Sequence, residues 1–202
     1  MVNELKLIFE RMNINIWEVI DAADSKPFGF MPFYPGPGMG GHCIPIDPFY
    51  LSWKAKEYNT EAKFIELAGE INRKMTENVA HRVGKALNDH SKSIRNSTIL
   101  VLGLAYKKDI DDMRESPALK IIDLLKFKGA NVCYHDPYIK NATKIEYVDL
   151  SKDNLAKADA VLITTDHSNV DYEKVGKYAK LVIDTRNVMA SVKNPKAHIL
   201  RA

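Results

Sequence analysis

A cysteine at position 43 lies at the end of a loop that is rich in glycine and proline. The segment from Tyr34 to Gly41 has the sequence Tyr-Pro-Gly-Pro-Gly-Met-Gly-Gly, and His42 directly precedes the cysteine. Neither a helix nor a central strand tolerates this composition, whereas glycine lets a ligand come close to the main chain. The segment therefore predicts a shaped loop that presents Cys43 to a ligand.

Asp47 and Pro48 predict the start of a helix shortly after this cysteine. Aspartate is a favoured N-cap and proline a favoured first helical residue, and the helix would continue to Lys56. A helix N-terminus and a neighbouring histidine both favour the thiolate form of Cys43. A cysteine is more often a small buried hydrophobe, and Asp47 alone is more often a cap. The residues by themselves indicate only a reactive thiol in a loop that a ligand can approach.

The overall composition is that of an ordinary globular protein. The chain has 202 residues, of which 46% are hydrophobic and 27% charged, with a net charge of +3. It has no run of lysine and arginine, and its two cysteines are too few for a disulfide framework and indicate a reducing compartment. It also shows no signal peptide and no apolar run long enough to span a membrane. We therefore predict a soluble cytoplasmic protein that binds neither nucleic acid nor membranes.

Helical periodicity dominates the first part of the chain. Apolar spacing predicts two helices over residues 1–24, and Asn15 with Glu18 resembles a capping box between them. A longer apolar stripe predicts one helix from 61 to 88, with Thr60 as its N-cap. A helix of this length lines a core, joins two domains or forms a two-fold contact between subunits, and the sequence alone does not separate these roles.

The pattern changes after a polar linker at residues 89–96. Apolar runs predict buried strands at 98–103, 131–135, 160–164 and 181–184, and helices are predicted at 116–128, 154–157 and 172–178. Strands that alternate with helices predict right-handed crossovers and a parallel sheet. We therefore predict an α/β protein, with an all-helical central region at 1–92 and a Rossmann-like domain at 93–202.

Basic residues follow the first and last of these predicted strands. Lys107, Lys108 and Arg114 come after the first strand, and Arg186 comes after the last. Ligands of such sheets bind at the carboxyl ends of the strands, and a nucleoside diphosphate suits these cations. The glycine fingerprint Gly-x-Gly-x-x-Gly is absent here.

Two alternatives remain open at these strand ends. The three basic residues of the first loop would equally form surface ion pairs with Asp109, Asp111 and Asp112. Asp136, at the end of the second strand, would either accept bonds from ribose hydroxyls or simply form an Asp-Pro turn.

The cysteine loop closely resembles the active-site loop of the UDP-glucose/GDP-mannose dehydrogenase family. The resemblance rests on Gly-Gly-His-Cys-Ile-Pro-Ile-Asp-Pro at 40–48 and on the preceding segment from Phe33 to Gly38. The His-Cys-Ile-Pro form is similar to the branch that oxidises UDP-N-acetylglucosamine or UDP-N-acetylmannosamine at C6. The segment 103–116 resembles the family's UDP-binding signature, and 184–186 resembles its later Asp-x-Arg motif.

The resemblance implies a role for several residues. It makes Cys43 and Asp47 catalytic, and it places Arg114 against NAD that is bound by the partner subunit. It implies a homodimer through the helix at 61–88. It assigns the binding of a UDP-N-acetylhexosamine to Phe33, Tyr34, Gly36, Gly38, Tyr106, Lys107 and Arg186.

The implied reaction oxidises the sugar C6 alcohol twice, to the carboxylate, with two NAD molecules. An aldehyde would add to the Cys43 thiolate as a thiohemiacetal, and its oxidation would give a thioester that water cleaves. Asp47 would orient or deprotonate this water, and His42 would tune the thiol.

The resemblance covers only the central and C-terminal parts of such an enzyme. The family's N-terminal NAD-binding domain, and its catalytic lysine and asparagine, would precede residue 1. We therefore expect the isolated chain to bind UDP-sugar and dimerise without turnover. The alternative is a non-catalytic UDP-sugar-binding and dimerisation module. A cysteine hydrolase is disfavoured because only His42 offers itself as a general base.

Overall fold

Helices make up the first part of the chain, and a parallel sheet organises the second. A computed structural model describes residues 1–142 and 144–202. The helices are α1 Val2–Arg11, α2 Ile16–Asp24, α3 Cys43–Lys56, α4 Lys63–Asp89, α5 Pro117–Phe127, α6 Lys152–Lys157 and α7 Tyr172–Tyr178, with a 3-10 helix at Val188–Ser191. The strands are β1 Thr98–Leu102, β2 Asn131–His135, β3 Glu146–Tyr147, β4 Ala160–Ile163, β5 Leu181–Asp184 and β6 His198–Arg201.

The sheet has the strand order β3-β2-β1-β4-β5-β6, and all of its neighbouring strands pair in parallel. This is the order of doubly wound dinucleotide-binding folds, in which the winding direction reverses between β1 and β4. The predicted Rossmann-like sheet is therefore confirmed. Strands β3 and β6 lie outside the predicted set because each is a short edge strand with polar ends.

The second half of α4 belongs to the core of the sheet. Val79, Val83 and Leu87 are fully buried and pack with β1, β4 and α5. The first half of α4 extends beyond the sheet, and there Phe64 is 89% exposed. Helix α4 thus has one end anchored in the core and a free apolar surface at the other end.

Helices α1 and α2 form a small apolar cluster beside α4. Trp17 and Ile20 are buried in it, and Glu10 pairs with Arg82 on α4. The Asn15 side chain accepts from the Trp17 N–H and begins α2, so the predicted cap is confirmed.

Two predicted helix starts are wrong. Helix α3 begins at Cys43, and therefore Asp47 lies inside the helix and is not its N-cap. Proline at position 45 is tolerated because the first turn needs no N–H donors, and Pro48 removes only one bond from the interior. Helix α4 begins at Lys63 after Ala62, without the predicted cap from Thr60.

The helices of residues 1–142 and 144–202 include none that is both long and apolar enough to cross a bilayer.

Candidate functional site

The glycine loop lies against the loops that follow the carboxyl ends of β1 and β5. A Cβ added at Gly36 would lie 2.6 Å from Nη1 of Arg186, and one at Gly41 would lie 2.8 Å from the Tyr106 ring. The Gly41 N–H donates to the Arg114 carbonyl at 2.9 Å. The glycine loop therefore contacts both the loop after β1 and the loop after β5. The sequence predicted that basic residues of these two loops bind the same ligand.

Cys43 is the first residue of α3 and follows Gly41 by two positions. Its side chain is exposed, and Asp47 is exposed one turn later on the same helix. Residues four apart on a helix lie on the same face, so the thiol and this carboxylate are neighbours. Because Gly41 contacts Tyr106 and Cys43 follows two residues later, the start of α3 lies beside the β1 loop.

The other predicted loop residues differ in their exposure. Phe33 is 66% exposed, while the Tyr34 hydroxyl donates to Oδ1 of Asp21 at 2.9 Å. Gly36 is buried, and a Cβ at Gly38 would lie 3.3 Å from the ring of Pro117. The loop thus offers two aromatic rings to solvent and has its glycines packed against the protein.

Arg186 is held by two carboxylates of the sheet edge. Its Nε donates to Oδ1 of Asp166 at 3.0 Å, and its backbone N–H donates to Oδ1 of Asp184 at 2.8 Å. Within residues 1–142 and 144–202, its two terminal nitrogens make no hydrogen bond. The guanidinium is therefore oriented by its inner nitrogen, and its outer nitrogen Nη1 lies against Gly36.

The surface ion-pair alternative holds for one of the three basic residues after β1. Arg114 donates to both oxygens of Asp112, and these hydrogen bonds, together with the negative charge of Asp112, raise the pKa of Arg114. Lys107 and Lys108 are exposed, and in the described part of the chain no carboxylate lies within ion-pair distance of them.

Asp109 does not form the ion pair with a basic residue of its own loop that was one of the two predicted alternatives. Its carboxylate accepts from the backbone N–H and the hydroxyl of Ser168, both at 2.7 Å. These two hydrogen bonds lower the pKa of Asp109. The β1 loop is thereby tied to the β4 loop across the point where the winding of the sheet reverses.

Asp136 is a structural residue of this edge. It is fully buried, and it accepts from the backbone N–H groups of Leu104, Ala105, Tyr138 and Ile139 and from Nε2 of His167. Every one of these donors belongs to the protein, so the geometry supports a turn and leaves no oxygen for ribose.

Asp166 and His167 were missed by the sequence reasoning. Nδ1 of His167 accepts from the Asp109 N–H at 3.0 Å, and Asp166 orients Arg186. Both residues follow β4, and the rule that ligands bind at strand carboxyl ends, applied to that strand, would have found them.

A mainly apolar groove of about 1020 Å³ lies between α3, α4 and α5. Ile44, next to the candidate thiol, lines it together with Phe49, Phe64 and Phe127. Phe64 and Phe127 are 89% and 88% exposed.

Two domain models of one family match this chain. The model of the UDP-glucose/GDP-mannose dehydrogenase family, central domain, matches residues 1–74, and that of the same family's UDP binding domain matches residues 100–191. The chain belongs to this family. The resemblance found in the cysteine loop is therefore confirmed.

Individual relatives agree with this assignment. A UDP-N-acetyl-D-mannosamine dehydrogenase of Pyrococcus horikoshii is 35% identical over 198 residues, which are 94% of this chain and 44% of that protein. An NDP-N-acetyl-D-galactosaminuronic acid dehydrogenase of Ralstonia solanacearum is 33% identical over 94% of this chain and 44% of its own length. The chain thus spans less than half of these two relatives.

Solved structures of nucleotide-sugar dehydrogenases superpose on this chain. A UDP-D-ManNAc dehydrogenase from Pyrococcus horikoshii superposes with a TM-score of 0.84 at 33% identity, covering 99% of this chain and 47% of that one. A UDP-glucose dehydrogenase from Pyrobaculum islandicum gives 0.83 at 26% identity, covering 98% and 46% of the two chains.

Proposed function

We propose that this chain is the substrate-binding and thiol-bearing part of an NAD-dependent UDP-N-acetylhexosamine 6-dehydrogenase. The observation that carries the proposal is the packing of the Cys43 loop on the loops of Tyr106 and Arg186. This packing supports a shared site for the thiol at the start of α3 and for Arg186, whose terminal nitrogens make no hydrogen bond within residues 1–142 and 144–202. Relatives named for UDP-N-acetyl-D-mannosamine support the hexosamine as the sugar class.

The pyrophosphate of the substrate would lie between Arg186 and Lys107. Arginine with free terminal nitrogens donates two parallel bonds to a phosphate, and an exposed lysine adds a second positive charge. The exposed rings of Phe33 and Tyr34 would cover the uridine and the sugar, and Tyr106 would border them. Gly36 and Gly38 would serve the same ligand site by letting the loop pack closely against Arg186 and Pro117.

The sugar C6 would lie at the thiol of Cys43. The thiolate adds to the carbonyl carbon of the aldehyde, and the thiohemiacetal that forms keeps this carbon in the site. After the second oxidation a thioester remains, and water attacks it and releases the thiol. Asp47, on the same face of α3, would take the proton from this water.

The chain's own contribution to the cofactor site is small. NAD, when bound, accepts a hydride in each of the two oxidations. The loop between β1 and α5 has no glycine fingerprint for a dinucleotide, and we assign only Arg114 to this role. Its side chain is 69% exposed and is held in place by Asp112, so it fits an anionic group that approaches from outside this chain.

We assign the contact between two subunits to α4. We place the boundary between the two domains in the linker before β1. The first half of α4 and the groove beside it expose Phe64, Leu67 and Phe127. Apolar surface of this kind favours burial against a second copy. In this view residues 1–92 carry the thiol and the dimer contact, and residues 93–202 hold the UDP-sugar.

If Arg186 binds the pyrophosphate, replacing it should lower the affinity for UDP-sugar. We expect the wild-type chain to bind UDP-N-acetylglucosamine or UDP-N-acetylmannosamine in isothermal titration. Arg186→Lys should weaken this binding roughly tenfold or more, because lysine lacks the inner nitrogen that bonds Asp166 and the fork that bonds phosphate. Arg95→Lys is the matched control, since Arg95 is exposed and packs on Gly129 rather than at the strand carboxyl ends. A wild-type chain that binds no UDP-sugar would refute the proposal.

The thiol half of the proposal predicts selective alkylation. Iodoacetamide at neutral pH should label Cys43 much faster than Cys133, because Cys133 is half-buried and burial raises the pKa of its thiol. UDP-N-acetylhexosamine should protect Cys43, and mass spectrometry of peptides would measure both rates. Labelling of Cys43 no faster than that of Cys133 would favour the non-catalytic binding module.

A further inference from the structure

Asn3 on α1 joins the ligand loop to the long helix. Its Oδ1 accepts from the Gly36 N–H at 3.0 Å, and its Nδ2 donates to Oδ1 of Asn72 at 2.8 Å. Asn72 in turn donates from Nδ2 to the Ala68 carbonyl at 2.8 Å. A chain of three hydrogen bonds therefore runs from the backbone of α4 to the backbone of the loop.

The donor-to-acceptor direction of these three hydrogen bonds is fixed by the groups at the two ends of the series. The Ala68 carbonyl only accepts and the Gly36 N–H only donates, so each amide has one orientation that satisfies both of its neighbours. Gly36 is buried, and Oδ1 of Asn3 is the acceptor that its N–H meets, so removing Asn3 takes away the protein partner of this donor. A buried donor without an acceptor is costly, so the loop would have to move.

Gly36 is confined on its other side by Arg186. With a Cβ at Gly36 only 2.6 Å from Nη1 of Arg186, the loop backbone and the guanidinium are in direct contact. Arg186 is itself oriented by Asp166. The position of the loop relative to the arginine is thus set by Asn3 from one side and by Asp166 from the other.

We propose that Asn3 is a positioning residue for the UDP-sugar site and that Asn72 links this site to α4. The proposal rests on the proposed function of the loop and of Arg186. Through this connection the ligand loop is tied to the helix that also carries the proposed subunit contact.

Two measurements on the same variants test the proposal. Asn3→Ala removes both bonds, whereas Asn3→Asp keeps the acceptor for Gly36 and sets an oxygen against Oδ1 of Asn72. Hydrogen exchange of the ligand-free chain should become faster at Gly36 in Asn3→Ala and stay slow in Asn3→Asp. The affinity for UDP-N-acetylglucosamine should fall roughly tenfold in Asn3→Ala, and less in Asn3→Asp.

The controls separate positioning from general loss of structure. Asn131→Ala changes an exposed asparagine at the opposite edge of the sheet and should alter neither quantity. If Asn3→Ala fails to fold, Asn72→Ala carries the test, because it keeps the bond to Gly36 and should still weaken ligand binding several-fold.

The possible results separate this proposal from the one on which it rests. Faster exchange at Gly36 in Asn3→Ala, in a chain whose wild type binds no UDP-sugar, would show that Asn3 holds the loop but would overturn the proposed function and, with it, the UDP-sugar site that Asn3 is proposed to position. Binding by the wild type with unchanged exchange and unchanged affinity in Asn3→Ala would overturn the positioning role alone.

Discussion

Replacing Asp136 with asparagine should lower the free energy of unfolding by about 4 kcal/mol. The carboxylate is fully buried, with Oδ2 facing the N–H groups of Leu104 and Ala105 and Oδ1 facing those of Tyr138 and Ile139. Whichever oxygen becomes an NH₂ group would then point a donor at two donors. The fold would have to leave these N–H groups unpaired or move them.

The same substitution should change the response to acid. Burial alone would raise the pKa of Asp136, but the hydrogen bonds from His167 and from the backbone of Leu104 and Tyr138 outweigh burial and lower it to about 2. A carboxylate with a depressed pKa stabilises the fold fully above its unfolded pKa of 3.8, and this contribution is lost as the pH falls toward 2. Asp136→Asn should lack this part of the acid dependence.

Urea unfolding from pH 7 down to about pH 2 would measure both effects. Asp123→Asn is the matched control, because Asp123 is an exposed carboxylate on α5 and its loss should change stability by only a few tenths of a kcal/mol. An Asp136→Asn variant as stable as wild type at pH 7 would show that the hydrogen bonds to Asp136 do not stabilise the loops after β1 and β2.

The Asp136 network also explains why the β1 loop is a precise platform. Leu104 and Ala105 directly precede Tyr106 and Lys107, the residues assigned to the UDP-sugar. Two of the backbone hydrogen bonds to Asp136 come from this loop and two from the loop after β2, so the β1 loop is fixed by its main chain and its side chains remain available. We therefore expect Asp136→Asn to weaken UDP-sugar binding as well as stability.

Local patterns predicted most of the elements around this site. Strand β2 and helix α7 follow from apolar runs and periodicity that lie within a few residues, and the Asn15 cap follows from one polar side chain. The contacts that position the site are long-range. Asn3 meets Gly36 across 33 positions and Asp166 meets Arg186 across 20, and periodicity carries no signal for such pairs.

The glycines of the loop also show that the sequence does not reveal which groups come close in the folded structure. The sequence indicated that glycine was needed so that a ligand could approach the main chain. The structure shows that protein atoms approach first: a Cβ at Gly40 would lie 2.5 Å from Cβ of Tyr106 and 2.9 Å from the Glu115 carbonyl. The composition correctly predicted a close approach, but it could not tell a ligand from the rest of the fold.

Replacing Lys6 with methionine should raise the free energy of unfolding at pH 7 by about 3 kcal/mol. Lys6 lies on α1 and is only 4% exposed, and among the described residues its Nζ has no hydrogen-bond partner. Burial lowers the pKa of Lys6 from 10.5 to about 8, although Glu10 acts in the opposite direction. Methionine fills a similar volume without a charge.

The expected gain depends on pH in a defined direction. Below pH 8 both the folded and unfolded chains carry the proton, and the full cost of burying the charge is present. Between pH 8 and pH 10.5 the unfolded chain binds more protons, so the wild type becomes more stable relative to the variant as pH rises. The advantage of Lys6→Met should therefore shrink across this window and vanish above it.

Urea unfolding of wild type and Lys6→Met at pH 7 and pH 10 would measure this difference. Lys85→Met serves as the control, since Lys85 lines the same cavity of about 640 Å³ from an exposed position on α4. A less stable Lys6→Met variant at pH 7 would mean that Lys6 contributes more through Glu10 and Asp184 than its burial costs. Such a result would make Lys6 a link between α1 and Asp184 at the end of β5, two residues before Arg186.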